Sequence, residues 1–236
     1  MDDATPDFSK ANQNFDRVIE TNPNNVMAHF QRGQSYFLAN NFDEAISEFN
    51  SCIDLLINDT YTYEEYEADE LPTISDAYYM CGRSYAKRSF VEREKDYCGT
   101  LQNYNFFMQN LITAIEYLDK ASEYKLKNDA EIYDGHGIIY FSMAECEKMN
   151  GNNTKANDYY HKAIDCFKVA VDINPNDGYI YYGLGNAYEG LEKRKEAMDA
   201  FRKALSLDPE NNNFAKDVIA KLIELEKEGI DVSKHY

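Results

Sequence analysis

The chain has 236 residues, of which 44% are hydrophobic, enough for one continuous core. Its formal net charge of −18 repels a phosphate backbone, so we expect no nucleic acid among its partners. No run of about 18 apolar residues suggests a membrane span, and the N-terminal segment lacks the basic and apolar parts of a signal peptide. We therefore expect a cytoplasmic protein that does not bind membranes.

One amphipathic helix is predicted first, over residues 6–23. Ala11, Phe15 and Val18 recur at steps of three and four residues and therefore share one helix face. Pro23 follows and disfavours helical geometry in the residue before it. No first helix is predicted before this one, so it corresponds to half of the helix pairs that come next.

A helix pair is predicted over residues 26–59. Its first helix has the pattern His29-x2-Arg32-Gly33-x2-Tyr36, in which the glycine lets a second helix approach closely. The second helix alternates small and large residues on its facing stripe, so a bulky ring fills the gap that the glycine leaves. These residues are Ala45, Phe49 and Cys52.

The stretch from 60 to 74 is acidic and aromatic and shows no helical periodicity. We expect an exposed loop there. A loop of this length is either a solvated spacer or a functional segment, and an acidic surface of this kind suits a basic partner.

Residues 75–128 and 130–177 each predict a helix pair with an insertion between its two helices. Their first helices keep the glycine-centred pattern: Tyr78-x2-Cys81-Gly82-x2-Tyr85 and Tyr133-x2-His136-Gly137-x2-Tyr140. Their second helices carry Ala114, Leu118 and Ala121, and Ala163, Phe167 and Ala170. The insertions add about 20 and about 14 residues to the repeat period, and the smaller one lengthens each helix by about two turns. We predict two overlong hairpins that project and brace each other.

The most regular pair spans residues 178–211. It carries Tyr181, Leu184, Gly185 and Tyr188 on the first helix, Ala197, Phe201 and Ala204 on the second, and then Pro209. A further amphipathic helix over 212–229 is predicted as a cap, because a terminal repeat needs a cover for its apolar edge. Its apolar residues are Phe214, Val218, Ile219, Leu222, Ile223 and Leu225. Residues 230–236 are a tail.

The order Y-x2-L-G-x2-Y, A-x3-F and Pro at a period of about 34 residues resembles the tetratricopeptide repeat, with Tyr181 replacing the usual tryptophan. Four full repeats and one leading half-repeat cover most of the chain. Departures are Arg32 and His136 where leucine is usual, and Ile57 and Leu126 where proline is usual. The resemblance implies an all-α fold, a right-handed superhelical α-solenoid of antiparallel helix pairs with a C-terminal capping helix, as one domain over the whole chain.

The resemblance also implies a concave groove lined by the first helices. Carried over repeat by repeat, the candidate groove residues are Met27, Phe30, Gln34 and Phe37; Tyr79, Arg83 and Lys87; Ile138 and Phe141; and Tyr179, Tyr182 and Asn186. The best-known ligands of the family are acidic chaperone tails, held by a clamp of Lys, Asn and Arg residues. Only Arg83, Lys87 and Asn186 have suitable chemistry here, so we do not expect a chaperone-tail adaptor, although Arg83 and Lys87 can jointly hold one carboxylate.

The sequence shows no pattern typical of a catalytic, metal or cofactor site. Five scattered cysteines without a C-x-x-C pair predict reduced thiols. The four histidines form no H-E-x-x-H arrangement, and Gly135-His136-Gly137 falls in the middle of a predicted helix. We therefore expect a non-enzymatic protein with no metal and no cofactor.

Two interpretations of function stay open. In the first, the chain is a protein–protein interaction module or scaffold that binds a peptide or protein segment, for example a basic one, in an aromatic-lined groove. In the second, it is a structural subunit that forms a homodimer or joins a larger complex through the projecting hairpins and the N-terminal half-repeat.

Overall fold

A computed structural model describes residues 8–60, 71–91, 100–124, 129–207 and 212–232. Within these ranges the chain forms ten α-helices and no strand. The predicted all-α fold is confirmed. Most of the predicted acidic loop lies outside the described residues, and so does Pro209 at the end of the last predicted repeat.

The helices follow one another in the predicted order. They are α1 (Phe8–Thr21), α2 (Val26–Leu38), α3 (Phe42–Ile57), α4 (Ile74–Val91), α5 (Leu101–Tyr124), α6 (Ala130–Met149), α7 (Asn153–Ile173), α8 (Gly178–Gly190), α9 (Arg194–Leu207) and α10 (Asn212–Val232). In each pair we call the first member, α2, α4, α6 or α8, a first helix and its partner a second helix.

The chain divides into two compact units, Met1–Lys127 and Asn128–Tyr236. In unit 1, each helix from α1 to α5 packs against the next one along the chain. In unit 2, the same holds from α6 to α10, and α6 also contacts α8. Both units are therefore built by stacking helices in sequence order.

The two helices of a pair run antiparallel. In the pair α2–α3, the Cys52 thiol near the end of α3 donates to the Val26 carbonyl at the start of α2, with 3.9 Å between sulfur and oxygen. At the other end, the Phe37 ring packs edge-on against Phe42, with 5.6 Å between ring centres. Contacts between the start of one helix and the end of the other require opposite directions.

The predicted lengthening of two hairpins is also confirmed. Helices α6 and α7 have 20 and 21 residues, whereas α8 and α9 have 13 and 14. Helices α4 and α5 have 18 and 24 residues. In α7 the apolar stripe continues along the added turns, where Ala156 and Tyr160 are buried as fully as Ala163 and Phe167. The added length is therefore packed against its partner helix.

Glycines on the first helices are in close contact with rings on the second helices. A Cβ atom built on Gly185 would lie 2.5 Å from Cε1 of Phe201, and one built on Gly33 would lie 2.8 Å from Cε1 of Phe49. Non-bonded carbon atoms are normally about 3.5–4.0 Å apart. In the pair α4–α5 the second helix has leucine instead, and a Cβ on Gly82 would lie 3.2 Å from Cδ2 of Leu118.

One ring in unit 2 contacts glycines of two successive first helices. Cε1 of Phe167 would lie 2.6 Å from a Cβ built on Gly137 of α6, and Cζ of the same ring 2.6 Å from a Cβ built on Gly183 of α8. Phe167 therefore determines both the spacing within one pair and the spacing to the next.

Arg32, which replaces the usual leucine of the motif, forms a cluster of ion pairs. Its Nη1 atom lies 2.6 Å from Asp16 of α1, and its Nη2 atom lies 2.7 Å from Glu48 of α3. The other Glu48 oxygen contacts Nδ1 of His29 at 2.8 Å, and Nε2 of His29 lies 2.9 Å from the Pro23 carbonyl oxygen. The cluster connects α1, α2 and α3.

The close contact at Gly185 can be tested by adding a methyl group. We expect Gly185→Ala to lower the unfolding free energy by about 2 kcal/mol, because the overlap costs up to about 3 kcal/mol and the helix propensity of alanine returns about 1 kcal/mol. Adding Phe201→Leu should relieve the overlap, giving a coupling energy of about 1 kcal/mol or more in urea unfolding. Additive effects of the two substitutions would contradict the contact.

The ion-pair cluster makes the stability of unit 1 depend on the charge of Glu48. Burial raises the pKa of this carboxyl, but the hydrogen bonds from His29 and Arg32 outweigh it and hold the pKa below its ordinary value of 4.5. A group whose pKa is lower in the folded chain stabilises the fold above its unfolded-state pKa and loses that effect as the pH falls through the folded-state pKa. We expect Glu48→Gln to cost about 1–3 kcal/mol at neutral pH, and much less once the pH falls below the folded-state pKa.

Urea unfolding of the wild type and Glu48→Gln across that pH range measures the difference. Glu44→Gln is the matched control, because Glu44 lies on the same helix and is exposed. A destabilisation by Glu48→Gln that does not change with pH would show that the charge of Glu48 does not stabilise the fold.

Candidate functional site

The first helices begin at capping residues, which fixes the register of the predicted groove residues. The Asn25 side chain accepts from Ala28 N at 2.9 Å before α2, and the Asp177 side chain accepts from Tyr179 N at 2.9 Å before α8. Helix α4 begins with a reciprocal pair, in which Asp76 Oδ2 accepts from Thr73 N at 3.0 Å and Thr73 Oγ1 accepts from Asp76 N at 3.1 Å. Such caps satisfy backbone donors that the helix leaves unpaired.

The candidate residues of unit 1 lie on α2 and α4, which contact each other. We call them the unit 1 surface: Met27, Phe30, Gln34, Phe37, Tyr79, Arg83 and Lys87. They do not all reach solvent. Met27 is buried, and the Phe30 ring packs edge-on against the core ring of Phe49 at 5.6 Å. Gln34 is half-buried and Lys87 is exposed.

Arg83 contacts aromatic rings on both helices of the unit 1 surface. Its guanidinium carbon lies 5.2 Å from the ring centre of Phe37 on α2 and 5.5 Å from that of Tyr79 on α4. Both distances fall within the range of cation–π attraction, about 6 Å. Among the ion pairs of the described residues, none involves Arg83 or Lys87. Leu38, which follows Phe37 in the sequence, is 63% exposed.

The candidate residues of unit 2 lie on α6 and α8. We call them the unit 2 surface: Ile138, Phe141, Tyr179, Tyr182 and Asn186. Ile138 is 44% exposed and Tyr179 is 55% exposed. In contrast, the Phe141 ring packs against Tyr160 of α7 at 5.9 Å, and the Tyr182 ring packs against Phe201 of α9 at 5.8 Å. Asn186 is half-buried. The exposed part of this surface is therefore formed by Ile138 and Tyr179.

Unit 2 contains a buried carboxylate at a position on the packing stripe of α6. Glu147 is 1% exposed, and the Asn152 side chain donates to its Oε2 atom at 2.6 Å. Lys155 lies 3.8 Å from the other carboxylate oxygen. Asn152 stands in the turn that joins α6 and α7, so the buried acid fixes the tip of this long hairpin and does not reach either candidate surface.

The cysteines differ in state. Cys52 and Cys81 are free and buried, and burial raises the pKa of each thiol to about 12, which makes both unreactive. Cys146 is disulfide-bonded, which corrects the prediction of reduced thiols at that position. The spacing of cysteines along the chain carries no information on which thiols the fold brings together.

The described part of the chain holds no group of three His, Cys, Asp or Glu side chains arranged to bind a metal ion. Nor does any described helix have the length and apolar character needed to cross a membrane.

Comparison with protein families supports the repeat assignment at both ends of the chain. A family model described as tetratricopeptide repeat matches residues 178–211, and a second model with the same description matches residues 6–55.

Curated relatives share this sequence pattern over part of their length. The peroxisomal targeting signal receptor of Candida albicans is 26% identical over 213 residues, which cover 86% of this chain and 33% of that protein. Anaphase-promoting complex subunit 3 of Dictyostelium discoideum is 35% identical over 101 residues, which cover 40% of this chain and 10% of that protein. The chain spans a third or less of the length of these relatives.

Solved structures share the fold. A protein described as a thermophilic TPR protein in Thermus thermophilus superimposes with a TM-score of 0.60 at 16% identity, covering 92% of this chain and 91% of that one. The MamA protein gives a TM-score of 0.55 at 24% identity, covering 88% and 86%. At these identities the likeness establishes the fold alone.

The different environments of Tyr179 and Tyr182 generate a prediction. We expect Tyr182→Ala to lower the unfolding free energy by about 1–3 kcal/mol, because it removes a ring packed on Phe201. Tyr179→Ala should change it by no more than about 0.5 kcal/mol, as for other exposed positions. Chemical unfolding followed by circular dichroism measures both. Equal losses from the two variants would contradict the difference between the exposed Tyr179 and the partly buried Tyr182 packed on Phe201.

Proposed function

Because the chain is a tetratricopeptide repeat protein, we propose that it is a non-enzymatic protein–protein interaction module whose first helices bind a peptide or a segment of another protein. The observation that carries the proposal is the Arg83 guanidinium held between Phe37 and Tyr79 on two successive first helices. Arginine and aromatic side chains are enriched among the residues that dominate binding energy.

The cluster is suited to binding because it is already ordered. Cation–π contacts on two rings restrict the rotamers of Arg83, so a ligand loses less conformational entropy in ordering this surface. The N–H groups at the edge of the guanidinium stay available for hydrogen bonds, since no carboxylate in the described residues is ion-paired with Arg83. Leu38, the next residue in the sequence after Phe37, is largely exposed and offers an apolar side chain to a ligand.

The name of one relative supports recognition of a ligand by this repeat surface. That relative is named as a peroxisomal targeting signal receptor. The net charge of −18 favours a partner with basic residues around the bound segment, because opposite charges accelerate association. In unit 2, the exposed Ile138 and Tyr179 offer a further apolar contact area.

The test is selection of peptides from a phage-displayed random library on the whole chain, followed by fluorescence anisotropy with a selected peptide. We expect Arg83→Gln to raise the dissociation constant at least about tenfold, a loss of about 1.4 kcal/mol. Circular dichroism should show unchanged helicity. Association that slows as salt increases would indicate a basic partner.

Lys120→Gln is the matched control for this variant. The Lys120 amine also lies over two rings of unit 1, 5.5 Å from the centres of Tyr78 and Tyr117, but it belongs to the second helix α5. We expect it to change the dissociation constant by less than about twofold. If no peptide is enriched, or if both variants weaken binding equally, the first helices of unit 1 are not the binding surface.

A further inference from the structure

The last helix presents a short apolar seam to solvent. On α10, Ile219 and Ile223 are 44% and 46% exposed. Lys216 stands three residues before the first of them and Glu226 three residues after the second, and both are exposed. Steps of three, four and three residues place all four side chains on one helix face, with the spacing of a coiled-coil seam.

This face is not the one by which α10 packs into unit 2. Val218 and Leu225 are buried in a cluster with Phe201 of α9, and the Lys221 amine pairs with Glu189 of α8 at 2.8 Å. The seam lies beside these contacts and is left uncovered by the described residues.

The second helix of a following repeat could not pack against this face of α10 as closely as α9 packs against α8. Ile219 lies one repeat period after Gly185. At Gly185 the absence of a side chain admits the ring of Phe201, with no room for even a Cβ atom. A branched side chain at the equivalent position of α10 blocks that close approach, so a following repeat of the same geometry is a poor occupant.

We propose that α10 mediates a symmetric homodimer in which the seams of two copies pack antiparallel. In that arrangement Ile219 of each copy faces Ile223 of the other, and Lys216 faces Glu226 of the other, each contact occurring twice. Parallel packing would instead place Lys216 against Lys216 and Glu226 against Glu226. The order of charges along the seam therefore selects the antiparallel arrangement. Such a two-fold contact closes on itself and produces no filament.

One contact within the chain competes weakly with the proposed packing, and a comparison with α1 favours α10 as its site. Glu226 is paired in its own chain with Arg202 at 3.4 Å, but both side chains are 55% exposed, and exposed ion pairs of this kind contribute little. At the other end of the chain, Val18 is the one large hydrophobic residue exposed on α1 within the described residues. Helix α10 therefore offers the larger self-complementary face, and its use is independent of peptide binding on the first helices.

Sedimentation velocity of the whole chain over a range of concentrations tests the proposal. We expect a reversible monomer–dimer equilibrium with a dissociation constant in the micromolar range, because a single helix seam buries a small area. Ile223→Glu should raise the dissociation constant at least about tenfold. Ile138→Glu is the matched control, because Ile138 is equally exposed at 44% but lies on α6, and it should leave the equilibrium unchanged.

A charge exchange tests the direction of packing. Lys216→Glu and Glu226→Lys should each weaken the dimer, and the double variant should recover the wild-type dissociation constant to within about twofold. A monomer at every concentration would overturn the proposal. So would a dimer that Ile223→Glu does not weaken, or a double charge variant that does not recover.

Discussion

The contact between a glycine on each first helix and a ring or leucine on its second helix is the constraint on which the rest of the structure depends. At Gly185 and Phe201 there is no space for a single additional carbon atom. Because protein interiors are densely packed and resist compression, this contact fixes the separation of the two helices. Phe167 extends the same constraint to the next pair, since its ring contacts Gly137 and Gly183. The exposed faces of successive first helices within a unit are thereby held at a defined spacing.

Helix α1, the leading half-repeat, is held against α2 by an ion pair. Helix α1 has no fully buried residue. Among the described residues no helix precedes it, so the ring of Phe15 has no glycine of a preceding first helix to pack against. The ion pair between Asp16 and Arg32 supplies a directional contact in its place, with Glu48 and His29 completing the cluster. Arg32, which stands where the motif has leucine, therefore matches the residue that it faces. That residue is Asp16 of α1, and a leucine at position 32 would leave the Asp16 carboxylate unpaired.

The order of the helices and the lengthened hairpins could be predicted because both depend on periodicity, and periodicity is a property of the sequence. The exposure of individual groove residues could not. Tyr179 and Tyr182 are the same residue type three positions apart, yet one is more than half exposed and the other lies on Phe201. An apolar stripe has edges, and whether a side chain at the edge is covered depends on the size of residues on the neighbouring helix. Met27 is buried for the same reason.

Aromatic rings serve both the core and the candidate binding surface, and the group opposite each ring decides which. A ring facing a glycine, as Phe201 faces Gly185, is enclosed by backbone on that side and becomes core. The rings of Phe37 and Tyr79 share the guanidinium of Arg83. A guanidinium is attracted to ring faces but keeps hydrogen-bond donors at its edge, which need water or an acceptor. It therefore cannot be fully enclosed without a partner, and it keeps its two rings near the surface. Lys120 also lies over two rings, but one of them, Tyr78, is buried. Lys120 itself belongs to the second helix α5, so partly exposed rings on two successive first helices are what distinguish the proposed binding cluster.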